Sequence, residues 1–293
     1  MHQGPGTVDI SPPARSPGGE ETGAGRGIPI WLRLILLLIV VETFRVGVGL
    51  FNPELIRGAV PWPASPLNAR FIASLYAAFG IAVLACATTR RYREVRIVLV
   101  GILVGTALIF FITLIRFFSH PGELAQLPLR WTVFYFIDPL LAGFALWRLG
   151  WRDGERSGNR AFAPLWTGHA VVFGLLGFIL LTLPSVAIAA WPWTVTEPQA
   201  QLYSAFFIAI AVQSLLASRE TQWEDVRWVA LMMVLLAALV LMTSLLSLGR
   251  FRPSVSTFLW FALFLGQLLL FGALLARHWT SVWLKGGTLW TQG

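Results

Sequence analysis

The sequence predicts an all-α integral membrane protein with eight transmembrane helices, arranged as two tandem four-helix repeats related by a pseudo-two-fold axis along the membrane normal. Three observations predict it: an apolar composition, long uncharged runs, and self-similarity between the two halves of the chain. Hydrophobic residues make up 56% of the 293 residues and charged residues only 12%. That charged share is about half of what a soluble domain carries, which argues against a soluble globular protein.

Apolar runs bounded by charged residues, proline or glycine predict the eight spans. Each run is close to the roughly 20 residues that an α-helix needs to cross the hydrocarbon core of a bilayer. Helices are expected because a helix satisfies its own backbone hydrogen bonds in lipid. The predicted spans are Pro29–Leu50, Asn68–Thr88, Arg96–Phe117, Leu129–Leu149, Pro164–Ala187, Gln199–Ser218, Val226–Leu248 and Ser254–Arg277.

The spans divide the chain into five predicted regions. Residues 1–28 are rich in glycine, proline and serine and predict a disordered cytoplasmic tail. Residues 29–149 form the first repeat, 150–163 a cytoplasmic linker and 164–277 the second repeat. Residues 278–293 carry three tryptophans and predict a C-terminal interfacial tail.

Basic residues are distributed unevenly between the two predicted sides of the membrane. Fifteen of the 22 lie on the side of the N-terminus, the even-numbered loops and the C-terminus, six lie on the other side, and Arg45 lies within a span. Cytoplasmic loops carry the excess of arginine and lysine, so both termini are predicted to be cytoplasmic, with the protein in the inner (plasma) membrane. Because the net charge of +8 is spread between spans, no nucleic-acid partner is expected.

Segments of the first half recur in the second half. Pro61-Trp62 aligns with Pro192-Trp193 at an offset of 131 residues, and Trp131–Arg148 aligns with Trp260–Arg277 at an offset of 129. Each copy has an even number of spans, so both copies enter the membrane in the same direction. This is the parallel class of internal repeat.

Two loops carry a resemblance to other proteins. The segments PWPASPLNAR, starting at Pro61, and WPWTVTEPQAQ, starting at Trp191, each join a first span to a second. They resemble a repeat motif in a loose group of uncharacterised bacterial multi-pass membrane proteins, over roughly Pro29 to Arg277. The resemblance implies no known activity, cofactor or catalytic residue. The second copy has one inserted residue near Glu197 and no arginine matching Arg70.

Glu42 and Arg45 are charged residues inside the first predicted span. Glu42 is expected about 12 Å inside the outer end of the helix, given a rise of about 1.5 Å per residue. Charged side chains in a span face protein or water rather than lipid, and a spacing of three residues lets the two side chains pair. Arg45 has a second option, which is to reach the outer headgroups.

Asp138 is the other deep acidic residue, at a predicted depth similar to that of Glu42. Pro139 follows it and is expected to kink or open the fourth span there; Arg45 is able to bridge Glu42 and Asp138 if the first and fourth spans touch. The aligned residue of the second half is neutral Gln267, and Glu42 aligns with Phe173 or Gly177. A structural ion-pair cluster is the first interpretation, and a pathway for a solute or a proton the second.

Trp62, Trp191 and Trp193 lie in the two outer loops that carry the repeated motif. Tryptophan is enriched at the level of the lipid headgroups, and proline ends helices. An interfacial turn therefore explains both loops. The alternative is an outer vestibule in which the three tryptophans contact a ligand.

The sequence contains no P-loop, GxSxG, HExxH or paired CxxC motif, so enzymatic activity is not expected. No cofactor or metal is expected, because no pair of histidines has the spacing of metal ligands. The lipid bilayer is the first expected partner. The first functional hypothesis is a transporter or permease for a small solute or protons, through a polar site formed by Glu42, Arg45 and Asp138. The alternative is a non-catalytic scaffold or accessory subunit that binds a membrane-protein partner.

Overall fold

A computed structural model of the protein describes residues 27–56, 60–61, 64–119, 129–151 and 162–286. Within these ranges the secondary structure is helical, apart from one isolated bridge between Gly27 and Arg91. The α-helices of the described chain are α1 (Ile30–Gly47), α2 (Pro66–Thr88), α3 (Arg96–Ser119), α4 (Leu129–Leu149), α5 (Ala163–Thr182), α6 (Pro184–Ala190), α7 (Glu197–Ala217), α8 (Trp223–Leu245) and α9 (Val255–Gly286).

Seven of the described helices are long and apolar enough to cross a membrane: α2, α3, α4, α5, α7, α8 and α9 as far as His278. The prediction of a multi-pass helical membrane protein is confirmed at this level. Helix α1 differs because its 18 residues include Arg33, Glu42 and Arg45. The eighth span therefore stays a prediction.

Proline accounts for one difference between the predicted and the observed helices. The predicted span Pro164–Ala187 is broken after Thr182, and a short helix α6 begins at Pro184. Proline disfavours the helical conformation of the residue before it, and Leu183 accordingly has φ −129° and ψ 53°. Pro139, in contrast, lies inside a continuous α4, so the predicted opening does not end that helix.

The helices pack in pairs, and the pairs meet at the centre of the bundle. Helix α1 contacts α2 and α3 contacts α4, while α5 contacts α7 and α8 contacts α9; α2 against α8 and α3 against α7 join the two halves. In the most apolar 18-residue stretch of each helix, 78% of the residues of α2 and 72% of those of α7 are buried. Only 28% of the residues are buried in the same stretch of each of α4, α5 and α9. The latter three therefore form the periphery, where apolar faces meet lipid in a bilayer.

The arginine-rich end of the bundle is formed by residues 27–29, 89–95, 150–151 and 218–222. Arg33 of α1 donates hydrogen bonds to the carbonyl oxygens of Ala87 and Thr89, at 2.7 and 2.8 Å. Arg96, at the start of α3, pairs with Glu220 at 2.6 Å. These contacts hold the ends of the helices together on this side of the bundle.

The tryptophan–proline end is formed by residues 48–56, 183–196 and 246–254. Helix α2 begins here because Ser65 accepts a hydrogen bond from the backbone N–H of Asn68 and Pro66 occupies the first helical position. The Asn68 side chain in turn donates to Gln199 at 3.0 Å. Both halves of the chain are thus joined by hydrogen bonds at this end.

Several predicted regions fall partly outside the described residues. These are the N-terminal tail up to residue 26, most of the linker (152–161), Trp62, and residues 287–293 of the C-terminal tail. Helix α9 runs past the predicted boundary at Arg277 and ends at Gly286, so the first part of the predicted interfacial tail continues the last helix.

Candidate functional site: a cavity among the first four helices

A partly open cavity of about 110 Å³ lies among α1, α2, α3 and α4, with α7 behind them. Glu42, Arg45 and Asp138 all line it. The structure therefore brings the three predicted polar residues to one space. A single water needs only about 10–15 Å³ by this kind of measure, so the cavity has room for several waters or a small organic molecule.

Helix α4 places one face against the cavity. Trp131, Phe134, Tyr135 and Asp138 line it, and spacings of three, four and seven residues put side chains on one side of a helix. The indole N–H of Trp131 donates to the Thr113 hydroxyl of α3 at 3.3 Å. This hydrogen bond holds the first turn of α4 against α3.

Asp138 is buried but unpaired. Its exposed fraction is 8%, and within the described part of the chain its carboxyl group forms no hydrogen bond or ion pair with protein. A buried carboxylate without a partner is costly, so water, a proton or a cationic ligand in the cavity has to compensate its charge. Pro139 has no backbone N–H, which leaves the carbonyl of Tyr135 beside the cavity without its usual helical donor.

Glu42 and Arg45 pair with each other. The Arg45 Nε lies 3.1 Å from Glu42 Oε2, and their side chains are 39% and 25% exposed, respectively. Between the described residues there is no Arg45–Asp138 ion pair, so Arg45 does not form the bridge that contact between the first and fourth spans would allow. Arg45 and Glu42 are bonded to each other, and within the described residues neither of them bonds to Asp138.

Most of the residues that line the cavity were not predicted from the sequence, and three of them bear on its chemistry. Tyr76 of α2 hydrogen-bonds to Tyr135 through the two hydroxyls. Arg130, on the exposed first turn of α4, and Phe206 of α7 also line the cavity. The position of Tyr135 three residues before Asp138 was a usable signal, but nothing in the sequence marks Phe206.

Trp191 and Trp193 of the predicted vestibule are buried, with exposed fractions of 6% and 2%. Their rings lie 5.3 Å apart, and each also packs against Trp260. The Trp193 indole N–H donates to Asn68 at 2.5 Å. The geometry of these two residues favours a packing role, while the third, Trp62, lies outside the described residues.

No protein-family model, no curated protein and no solved structure matches this chain.

Proposed function

We propose that the protein is a transporter or permease, and that a small solute or a proton passes through the cavity that holds Asp138. The observation that carries this proposal is the combination of a cavity with a buried carboxyl group that has no protein partner among the described residues. An acidic residue that only holds helices together is expected to be paired, because an uncompensated buried charge is destabilising. A carboxyl group that faces open space is placed to bind a proton or a solute.

The shape of the cavity fits a site that is reached from one side. Its lining extends along α3 from Gly101 to Ile109 and along α4 from Arg130 to Asp138, which is about 12 Å at 1.5 Å per residue. Near the arginine-rich end the space between α1 and α4 is closed by Trp31 and Phe144, whose rings lie 5.7 Å apart. Transport requires this closed part to open in a second state.

The proposal includes eight spans in two tandem repeats, with both termini in the cytoplasm and the protein in the inner membrane. The pattern of helix contacts supports the repeat. We can exchange α1 with α5, α2 with α7, α3 with α8 and α4 with α9. Each main contact between helices then becomes another main contact that the structure contains. Such an exchange is what a two-fold axis between parallel repeats produces.

Equivalent side-chain contacts also support the repeat. The Trp131–Thr113 hydrogen bond has a counterpart in Trp260, which donates to Ser244 at 3.1 Å. At the arginine-rich end, Arg227 pairs with Glu94. At the offset of 131 residues, Arg227 is aligned with Arg96 and Glu94 is aligned with Asp225, and these two residues form the reverse pair.

That reverse pair is Arg96 with Asp225, at 3.7 Å. Each half therefore supplies an arginine to an acidic residue of the other half. Reciprocal pairs of this kind join two copies of one unit across an axis that relates them.

The cavity also bears on the alternative hypothesis of a scaffold or accessory subunit. That hypothesis predicts a fully paired charge cluster without open space, whereas Asp138 is unpaired among the described residues and lines a cavity. We infer a non-enzymatic role, because the cavity brings together no nucleophile with a positioned base.

Flux through reconstituted vesicles tests the proposal. The full chain is reconstituted into liposomes that contain a pH-sensitive dye, and proton entry is recorded without solute and with panels of amines, amino acids, sugars and carboxylic acids. We expect flux above that of empty vesicles, and a loss of at least about tenfold on Asp138→Asn, which is the scale of 1.4 kcal/mol in a rate or equilibrium. Glu42→Gln is expected to reduce the flux less.

Gln267→Asn is the matched control, since Gln267 is the aligned residue of the second half and is absent from the cavity lining. Its flux should equal that of the unmodified protein. Flux that is no greater than in empty vesicles, or that is normal in both Asp138→Asn and Glu42→Gln, would overturn the proposal.

A further inference from the structure

We propose that the solute bound in the cavity is a small organic cation, an ammonium group on an apolar body of about one ring, with the ammonium group at Asp138. This inference rests on the proposed function, because it takes the cavity to be the solute site. It adds the chemical class of the solute, which follows from the charge, the walls and the size of the cavity.

The charges around the cavity favour a positively charged ligand at its inner end. Glu42 and Arg45 offset each other through their 3.1 Å ion pair. Arg130 is exposed and lies eight residues from Asp138, or about 12 Å along the axis of α4. Asp138 is thus the one acidic group of the lining that a ligand has to neutralise, and an ammonium group does so with a charge-assisted hydrogen bond.

The walls favour an organic cation over a metal ion. The aromatic residues of the lining are Tyr76, Phe79, Trp131, Phe134, Tyr135 and Phe206. Aromatic faces attract ammonium groups, most strongly where the site excludes water. A hard metal ion instead needs about six oxygen ligands, and in the described part of the chain no three His, Cys, Asp or Glu side chains come together to hold one.

Two glycines of α3 set the depth of the cavity. A Cβ atom added at Gly105 would lie 3.4 Å from the Cβ of Ala209, and one at Gly101 would lie 2.0 Å from the Gln213 amide. Helix α7 therefore closes the cavity from behind at close range. The resulting 110 Å³ is smaller than an engineered apolar cavity of about 150 Å³ that binds benzene. The enclosed part therefore takes at most about one ring or a short chain, and the open side of the cavity has to take the rest of a longer solute.

A matched series of probes tests the charge requirement. Binding of 2-phenylethylammonium, phenethyltrimethylammonium, 2-phenylethanol and 3-phenylpropionate to the purified full chain in lipid nanodiscs is measured by calorimetry at pH 7. We expect both cations to bind, the neutral alcohol to bind at least tenfold more weakly, and the anion to bind most weakly. The quaternary probe cannot exchange a proton, so its binding separates cation recognition from simple protonation of Asp138.

Two substitutions connect that preference to Asp138. Asp138→Asn should weaken both cations by roughly 10- to 100-fold and leave the alcohol unchanged, whereas Asp138→Glu should keep cation binding within several-fold. Gln267→Asn should leave all four probes unchanged. Size-exclusion profiles and thermal unfolding check that each variant is folded, so a loss of binding is assigned to the site only in a folded protein.

The outcomes distinguish this inference from the proposed function. Equal binding of the cations and the alcohol, or cation binding that survives Asp138→Asn, would overturn the organic-cation assignment. Asp138-dependent flux of protons or of another solute, without binding of either cation, would also overturn it and leave the permease function standing. Cation binding that depends on Asp138, in vesicles that show no flux of the probes, would support the ligand class and overturn transport.

Discussion

The spaces between the outer helices of the two halves are built differently. Between α1 and α4 there is a cavity with an unpaired acidic residue. Between α5 and α9, aromatic side chains fill the corresponding region. Phe173 lies 5.3 Å from Phe207 and 6.3 Å from Phe264, measured between ring centroids, and all three have an exposed fraction of 0%. At this level of the bundle the second half is filled by aromatic rings, whereas the first half is open.

The difference lies in a few aligned positions. Gln267, aligned with Asp138, donates to the carbonyl oxygen of Met233 at 2.8 Å, so its amide N–H has a partner. Offsets of 131 and 129 residues place Phe207 opposite Tyr76 and Phe264 opposite Tyr135. At these aligned positions the first half has an acid and two hydroxyls, whereas the second half has an amide and two apolar rings. The second half therefore packs at these positions without the polar groups of the first half.

The largest expected effect is the loss of a ring from the packed half. Phe264→Ala should lower the free energy of unfolding by about 4 kcal/mol, because it removes a fully buried ring that packs against Trp260 at 4.6 Å and leaves a cavity. Phe134→Ala, which removes a ring from the wall of an existing cavity, should cost less than half as much. Denaturant unfolding of both variants in the same detergent measures the difference.

Equal losses for Phe264→Ala and Phe134→Ala would show that the first half is packed as tightly as the second. The comparison between the halves would then fail. Retention of binding and flux by Phe264→Ala, once its fold is verified, serves as the control that the second half does not hold the site.

The next effect concerns two ion pairs, one that joins the halves and one beside the cavity. Asp225 is 3% exposed, pairs with Arg93 at 2.6 Å and lies 3.7 Å from the buried Arg96. Asp225→Asn should therefore destabilise the fold by about 3 kcal/mol, because it leaves a buried cation with one partner fewer. Glu42→Gln should cost about 0.5 kcal/mol, since both members of its pair are partly exposed.

Thermal unfolding of the two variants at one ionic strength measures this contrast. A cost for Glu42→Gln as large as that for Asp225→Asn would show that the α1 pair is a structural element of the fold. Its contribution to stability would then equal that of the ion pairs at the arginine-rich end.

The predictable part of this molecule follows from hydropathy and from misplaced charge. Apolar runs predict the seven helices that are able to cross a membrane, because a span must be apolar over its whole length. Glu42, Arg45 and Asp138 are charged residues in such runs, and they line one cavity. A buried charge is recognisable from sequence alone, since it has no place in lipid.

The rest depends on which face of each helix meets which neighbour. Tyr76 and Phe206 belong to the cavity, but an aromatic residue in an apolar helix has the same sequence signature against lipid, in a packed core or beside a cavity. Helix faces toward lipid and toward protein are equally apolar, so periodicity does not separate them. The break at Leu183, in contrast, was predictable from Pro184, although it lies inside a long apolar run.

The smallest expected effect is a change in the free energy of unfolding that differs in sign between the two halves. Asp138→Asn removes a buried charge that has no protein partner among the described residues, so it should leave the free energy of unfolding unchanged or raise it by about 1 kcal/mol. Gln267→Leu should lower it by about 0.5–1.5 kcal/mol, because it removes the hydrogen bond that the Gln267 amide N–H donates to the Met233 carbonyl. Parallel unfolding curves in nanodiscs provide the measurement. A clear loss of stability in Asp138→Asn would mean that the carboxylate holds a structural partner, and the cavity would then lose the feature that makes it a site.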